Sequence, residues 1–318
     1  MPYIFTPMSF DEFIGNENIV EQVKISLEAA KQENRPMLHT LMVGPPGTGK
    51  TTLAQIIAKE LGGRLIYRLG HTFDLENTMM SISDNDVLFI DEVHRLPMEI
   101  EEKLYLPLEQ YRYVPEFAKI NQQPINVGRF TFIGATTLLG NISKPLRDRC
   151  PLILHFQHYT NEHIEQIIIQ ALKHTNYDMA KTAIKQLAIA SRFTPRLAVI
   201  LLQRVIEYHS LNGNSRKITL KSVKEMLNIM GIRENGLNDN DIRYLKVLGE
   251  AGRPVGIKTL ALMLNIDEKT LQLVHENFLL DLGYIIMTNR GRTLSVKGID
   301  FLLKQGMFVS DDLLTKEG

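Results

Sequence analysis

The sequence predicts an α/β domain with a parallel sheet and flanking helices, then a run of helices, then a small domain of three helices and a hairpin. Three observations carry this. A glycine-rich loop, Gly44-Pro-Pro-Gly47-Thr48-Gly49-Lys50-Thr51-Thr52, joins an apolar run to a helical pattern. A second apolar run, Val87 to Ile90, delivers two acids, Asp91 and Glu92. After Gly231 the spacing changes to short helical patterns ending in two strand-like runs around Arg290-Gly291-Arg292.

Taken in order, residues 6–15 read as an irregular lead-in in which Ser9 or Asp11 caps a short turn. Ile19, Val23, Leu27 and Ala30 recur at helical spacing, and Arg35-Pro36 ends that helix. Residues 38–43 form a short buried strand, and 52–61 a helix stopped by Gly62-Gly63. Residues 64–69, 86–91, 129–137 and 152–158 read as further strands, with a helix from about 98 to 110. Asp86 is expected to cap its strand's entry. Residues 111–120 and 124–127 read as two β arms around the polar tip Asn121-Gln-Gln, with a proline in each arm arguing against a central strand. Such a hairpin either offers a partner surface or folds back on its own domain. Helical patterns then cover 161–174, 178–191, 195–210 and 219–229. Residues 235–241 form a polar connector at a domain boundary, and helical patterns at 239–250, 257–264 and 267–280 precede strands at 283–287 and 293–296.

The glycine loop fits G-x-x-x-x-G-K-[ST] in full, and strand, loop, helix is the context it requires. Gly47 and Gly49 let the backbone turn its N–H groups inward as a nest for phosphate oxygens, and the helix start adds its positive end. Lys50 then reaches the β- and γ-phosphates, and Thr51 holds Mg²⁺. Asp91 at a strand end orients waters on that ion, and Glu92 polarises the attacking water. His94 reads as packing or relay, since Mg²⁺ prefers oxygen ligands. Thr136 and Thr137 either sense the γ-phosphate or cap their strand. Arg147 and Arg149 form either a solvated face or arginine fingers offered to a neighbour's nucleotide. Arg196 follows Pro195 in a first helical turn, where the dipole favours an anion; a nucleotide phosphate would resolve that mismatch.

Three helices followed by a hairpin is the winged-helix variant of the helix-turn-helix. Arg290, Arg292 and Lys297 make a basic wing suited to phosphates. A winged helix used for protein contacts is the competing reading. The third helix carries Asp267, Glu268, Glu276 and Asp281, which argues against deep major-groove reading and for sequence-independent backbone contact.

Composition sets the limits. Over 318 residues, 36 basic and 36 acidic side chains balance, so a nucleic-acid partner must be met by a local patch. Cys150 is the single cysteine, which excludes an intramolecular disulfide and suits a reducing cytoplasm. No apolar run approaches the roughly 20 residues that cross a bilayer, and the first residues lack a signal-peptide pattern.

Together these motifs resemble the RuvB family of bacterial AAA+ motors that drive Holliday junction branch migration in recombination and repair. The resemblance is carried by Phe10 to Gly15, Gly44 to Thr52, Asp86 to Arg95, Glu101 to Tyr105, Gly134 to Thr137, Pro145-Leu-Arg-Asp-Arg149, Thr194-Pro-Arg196, Pro254 to Gly256 and Arg290-Gly-Arg292. It implies an AAA+ ATPase domain over 1–159, a helical lid over 160–234 and a winged-helix DNA-binding domain over 235–318. It further implies ATP and Mg²⁺ as cofactors and a homo-hexameric ring on duplex DNA. RuvA would dock through the hairpin 112–127, and RuvC would join as resolvase. By resemblance Thr52 adds a phosphate contact, Glu109, Gln110 and Tyr111 touch nucleotide, and Thr136 or Thr137 is the first sensor. Arg149 is the trans finger, Tyr159 lies near adenine, Arg196 is the second sensor, and Arg292 contacts DNA.

The chain departs from the family pattern at Thr6, where arginine is usual, and at Phe193, where glycine is usual. It also departs at Leu138, where arginine is usual, at Met287, where a basic residue is common, and in a short hairpin. Two rivals remain at this point: another AAA+ machine such as a clamp-loader subunit, and a nucleotide-switched DNA-binding regulator.

Overall fold

A computed structural model describes residues 5–115, 123–212, 215–233 and 235–307. The chain divides into two compact units, 1–217 and 218–318.

The first unit is organised by five parallel strands. They are β1 (Thr40–Val43), β2 (Leu65–Leu69), β3 (Val87–Asp91), β6 (Thr131–Thr136) and β7 (Leu152–His155), in the order β2-β3-β6-β1-β7. Each strand is short and apolar, as expected where both faces are covered. Alternation decides which face each residue joins. Met42, Phe89, Ile133, Ala135 and Leu154 pack with Val23 and Leu27 of α1 (Glu17–Gln32) and with Leu53, Ile56 and Ile57 of α2 (Lys50–Leu61). Leu41, Leu88, Ile90 and Phe132 face the other way. They pack on Met79 of α3 (Leu75–Ser81), Leu104 and Leu108 of α4 (Met98–Gln110) and Leu146 of α5 (Lys144–Asp148). Register places Val43 opposite Thr136 and His155, and Leu69 opposite Asp91, so the loops that leave these ends share one edge. Outside the carboxyl ends of such a sheet is where ligands bind.

Asp86 does more than cap a strand. It is buried and accepts from the backbone N–H groups of Arg64 and Ser83 and from the Arg64 guanidinium at 2.6 Å, tying β2 to β3. Of the expected hairpin, β4 (Arg112–Tyr113) pairs antiparallel with β5 (Ile125–Asn126), and its expected tip falls largely outside the described residues. The unit closes with α6 (Asn161–Leu172), a short strand β8 (Asp178–Met179), α7 (Lys181–Ala190) and α8 (Pro195–Asn212); β9 (Lys217–Ile218) lies at the division.

The second unit holds α9 (Leu220–Ile229), α10 (Asp239–Ala251) and α11 (Ile257–Leu264). A third winged-helix segment follows as α12 (Glu268–Thr270), a π-helical stretch Leu271–Glu276 and α13 (Asn277–Asp281). The hairpin is β10 (Ile285–Thr288) with β11 (Gly291–Leu294), and a bridge from Val255 to Arg292 adds a third strand position. A final helix, α14 (Val296–Lys304), is an addition to the sequence reading: Ser295 caps it by accepting from the Gly298 N–H.

Candidate functional site

At the carboxyl edge of the sheet lies a cavity of about 520 Å³. Its lining includes Gly47, Gly49, Lys50, Thr51, Thr52, Asp91, Glu92, Thr136, Thr137, Tyr159 and Arg196, drawn from five separate segments of chain. Phe5, Ile14, Ile167, Pro195 and Val199 form an apolar wall of the same cavity. Thr6 also lines it. An apolar wall beside convergent polar groups suits a base and a polyphosphate together.

The loop is shaped by backbone that side chains would obstruct. Gly47 has φ +77°, and a Cβ there would meet Thr194 Cγ2 at 2.7 Å. Lys50 is the first residue of α2, whose first turn carries no acid and whose N-cap, Gly49, offers no capping side chain. Lys50 Nζ donates to the carbonyls of Gly44 at 2.8 Å and Pro45 at 2.6 Å. Among the described residues no carboxylate lies within ion-pair distance of it. Burial, with Arg196 adding to it and Asp91 opposing it, brings the ammonium down to about 8. A buried cation resting on carbonyls, at an uncapped helix start, is a site that fits phosphate.

β3 delivers Asp91, whose Oδ1 accepts from the Glu92 N–H at 3.0 Å and whose Oδ2 accepts from Tyr67 OH at 3.0 Å. Glu92 sits in the left-handed region at φ +49°, an uncommon conformation of the kind that clusters at active sites. Its Oε2 is 2.7 Å from Arg95 Nη1. Thr136 Oγ1 accepts from the Leu138 N–H and contacts His94 Nδ1, each at 2.9 Å. His94 is therefore bonded to the strand-end threonine, in keeping with packing or relay. Thr51 and Asp91 supply oxygen donors of the type Mg²⁺ takes. Among the described residues no group of three or more metal-ligating side chains exists, so an ion here would take the rest of its shell from water and phosphate oxygens.

Tyr159 is buried beneath the loop, its OH donating to the Thr48 carbonyl at 3.2 Å, and burial pushes its phenol up to about 12. Arg196 enters the cavity from α8 after an unusual bend. Arg192 and Phe193 both have positive φ, +50° and +56°. The Thr194 N–H bonds to the Ser191 carbonyl at 3.0 Å and holds the turn.

Glu109, Gln110, Tyr111 and Arg149 do not line this cavity. Arg149 Nη2 pairs with Glu109 Oε1 at 2.7 Å, Nη1 donates to the Pro145 carbonyl at 2.8 Å, and the guanidinium lies 4.2 Å from the Tyr105 ring centre. Below them Glu101 is buried and accepts from Tyr105 and Ser143. Tyr111 packs edge-on against Phe130 in its own domain.

In the second unit Arg290 is exposed at the hairpin turn. Arg292 is not. It donates to both oxygens of Glu276, with Nη2 3.1 Å from Oε2, and Glu276 is 1% exposed. Gly291 permits the approach that makes this possible: a Cβ there would sit 2.4 Å from the Val255 carbonyl oxygen. Glu276 thus faces inward, and its charge is no argument about what the third helical segment presents to solvent. Lys297 donates to the Leu282 carbonyl at 2.6 Å. Met287 and Ile286 are exposed on β10.

Sequence reasoning missed Tyr67, and it missed the pairing of Arg149 with Glu109. A tyrosine in a strand reads as packing, and a contact between distant segments leaves no local pattern.

The sheet, the loop and the cavity define a P-loop ATPase domain of the AAA+ class. Family models match the whole described architecture: the RuvB Holliday junction DNA helicase P-loop domain over residues 5–156, the RuvB AAA lid domain over 159–233 and the RuvB C-terminal winged helix domain over 234–303. The Holliday junction branch migration complex subunit RuvB of Kosmotoga olearia is 39% identical over 300 residues, covering 92% of this chain and 87% of that protein. That of Lawsonia intracellularis is 39% identical over 305 residues, covering 93% and 89%. The solved structure of the Thermotoga maritima RuvB Holliday junction branch migration motor superimposes with a TM-score of 0.82 at 35% identity, covering 94% of this chain and 98% of that one. The chain belongs to the RuvB family.

Proposed function

We propose that the chain is an ATP-driven motor that moves Holliday junctions, working as a hexameric ring on duplex DNA. ATP and Mg²⁺ are its cofactors, RuvA docks at the hairpin 112–127, and RuvC joins as resolvase. The proposed parts are the ATPase domain 1–159, the lid 160–234 and the winged helix 235–318. Membership of the RuvB family sets aside the clamp-loader reading. Among the described residues no helix is long and apolar enough to cross a membrane; a cytoplasmic location is part of the proposal.

The observation that carries the reading is a split. One cavity gathers Lys50, Thr51, Asp91, Glu92, Thr136 and Arg196, while Arg149 stands outside it on Glu109. A copy so arranged supplies the phosphate cradle at one place and the arginine at another, so two copies complete one site. In that site the loop amides and Lys50 hold the β- and γ-phosphate oxygens, with Thr52 and Gly49 at the loop's end. Thr51 and Asp91 would hold Mg²⁺, which would supply charge neutralisation for the transferring phosphoryl group. Glu92 leaves Arg95 to accept a hydrogen bond from the attacking water, Thr136 or Thr137 holds the water or the γ-phosphate from the sheet edge, and Tyr159 braces the loop. The neighbour's Arg149 meets the charge that develops on the transferred group, with Glu109, Gln110 and Tyr111 alongside. Arg196, on α8, reports phosphate loss to the lid. In the wing Arg290 reaches DNA phosphate; Arg292 contributes to DNA contact by holding the wing to the third helical segment.

The test is branch migration of a synthetic four-way junction with ATP, with and without RuvA. The motor moves the junction, does so faster with RuvA, and binds DNA with steep salt dependence and little sequence preference. A regulator instead binds one sequence and leaves the junction where it was.

A further inference from the structure

Tyr67 stands on β2, next to β3 in the sheet. Register pairs Tyr67 with Phe89 and Leu69 with Asp91, so Tyr67 and Asp91 belong to the same sheet face, one side-chain repeat apart. The Tyr67 ring stacks on Phe89, with 5.7 Å between centroids and 24° between planes. That stack aims the hydroxyl along the strand to Asp91 Oδ2 at 3.0 Å. The other carboxylate oxygen accepts from the Glu92 N–H at 3.0 Å. Both oxygens of Asp91 are therefore held by this chain's own donors, and the carboxylate plane has little freedom to turn.

We infer that Tyr67 is a positioning residue for ATP turnover, fixing the Asp91 carboxylate in the orientation that receives the metal's water shell. This rests on the ATPase reading above. A carboxylate that must face metal-bound water holds the ion less well when its outer partner is removed, by up to about 10-fold, the low end of the loss seen for partners of direct ligands. The stack on Phe89 is a separate contribution that phenylalanine keeps, so the hydroxyl can be removed without opening the sheet edge.

The experiment compares wild type with Tyr67→Phe in three measurements: thermal melting, binding of a fluorescent ATP analogue as Mg²⁺ is titrated, and steady-state ATPase over the same titration. The expected result is an unchanged melting temperature and unchanged analogue affinity without metal. The Mg²⁺ concentration at half-effect rises by up to about 10-fold in both binding and turnover. An unchanged Mg²⁺ midpoint overturns the inference, and so does a lowered one, which would make Tyr67 a competitor for Asp91. A purely structural role would move the melting temperature and leave the midpoint in place, which also overturns it. If wild type itself shows no Mg²⁺-dependent ATPase, it is the ATPase reading that fails.

Discussion

The nucleotide cavity and the wing of the second unit both announce themselves by a short cationic motif with glycine beside it. Lys50 follows Gly49, and Arg292 follows Gly291. They differ in what the cation already has. Lys50 is buried with carbonyls as its hydrogen-bond acceptors, and burial holds its ammonium down to about 8 despite the nearby Asp91 charge. Arg292 is held by a buried carboxylate on two of its nitrogens. The glycines differ in the same way. At Gly47 a Cβ would meet the Thr194 side chain beside the cavity, whereas at Gly291 it would meet the Val255 backbone. Residue type names a potential phosphate contact; compensation by the fold decides whether the charge remains for one.

The sharpest way to break this comparison is at Arg149. Its side chain meets Glu109, Pro145 and Tyr105 of its own chain, and its proposed catalytic work is in a neighbour's site. Arg149→Ala should leave ATP binding intact and lower kcat by about 10³–10⁵-fold, read by equilibrium binding beside steady-state turnover. Loss of binding instead would place the guanidinium in its own cavity.

Next is Arg292→Ala. If the pair with Glu276 is structural, the change leaves a buried carboxylate uncompensated and destabilises the winged helix by about 3–5 kcal/mol. A urea melt followed in the second unit measures it. A variant with normal stability and weakened DNA binding would show that Arg292 serves phosphate after all.

The Lys50 side of the comparison has a pH signature. The free ammonium titrates at about 8, and bound phosphate favours the charged form. Below that pH the site is charged before the nucleotide arrives. Above it, binding must take up a proton, so affinity should fall as pH rises, by up to about tenfold per unit. Isothermal titration at pH 7 and pH 9 in buffers of differing ionisation enthalpy would show both the fall and the proton uptake. Affinity that holds constant across this range would mean Lys50 is already fully charged.

Two smaller effects refine the picture. Phe193 occupies a left-handed conformation, which costs a residue with a Cβ about 1–2 kcal/mol. Phe193→Gly relieves that strain but gives up unfolded-state entropy and the packing of a half-buried ring, so a thermal melt should move by no more than about 1 kcal/mol; a larger gain would show that the strain outweighs the packing. Arg290→Ala should weaken DNA binding evenly across sequences and reduce the salt slope by about 1.

What was legible in the sequence follows from range. The loop, the strand ending in Asp91 and Glu92, and the helices with repeating apolar positions are local patterns, and the structure shows them within a few residues of where they were read. The sheet order was not legible, because nothing in β1 says that it lies between β6 and β7. α3 and α5 escaped because each is too short to show a period, and α14 because its apolar positions follow directly on a strand. Tyr67 beside Asp91, Arg149 on Glu109 and Arg292 on Glu276 are all contacts made by folding, between segments that carry no mark of one another.

The central claim is that one site is completed by two copies, and subunit mixing tests it most directly. Lys50→Ala and Arg149→Ala each lack ATPase alone. Mixed, they should form interfaces in which an intact cradle meets an intact arginine, and turnover should rise to a maximum at intermediate ratios. Turnover that stays at the level of the separate variants at every ratio would contradict the account.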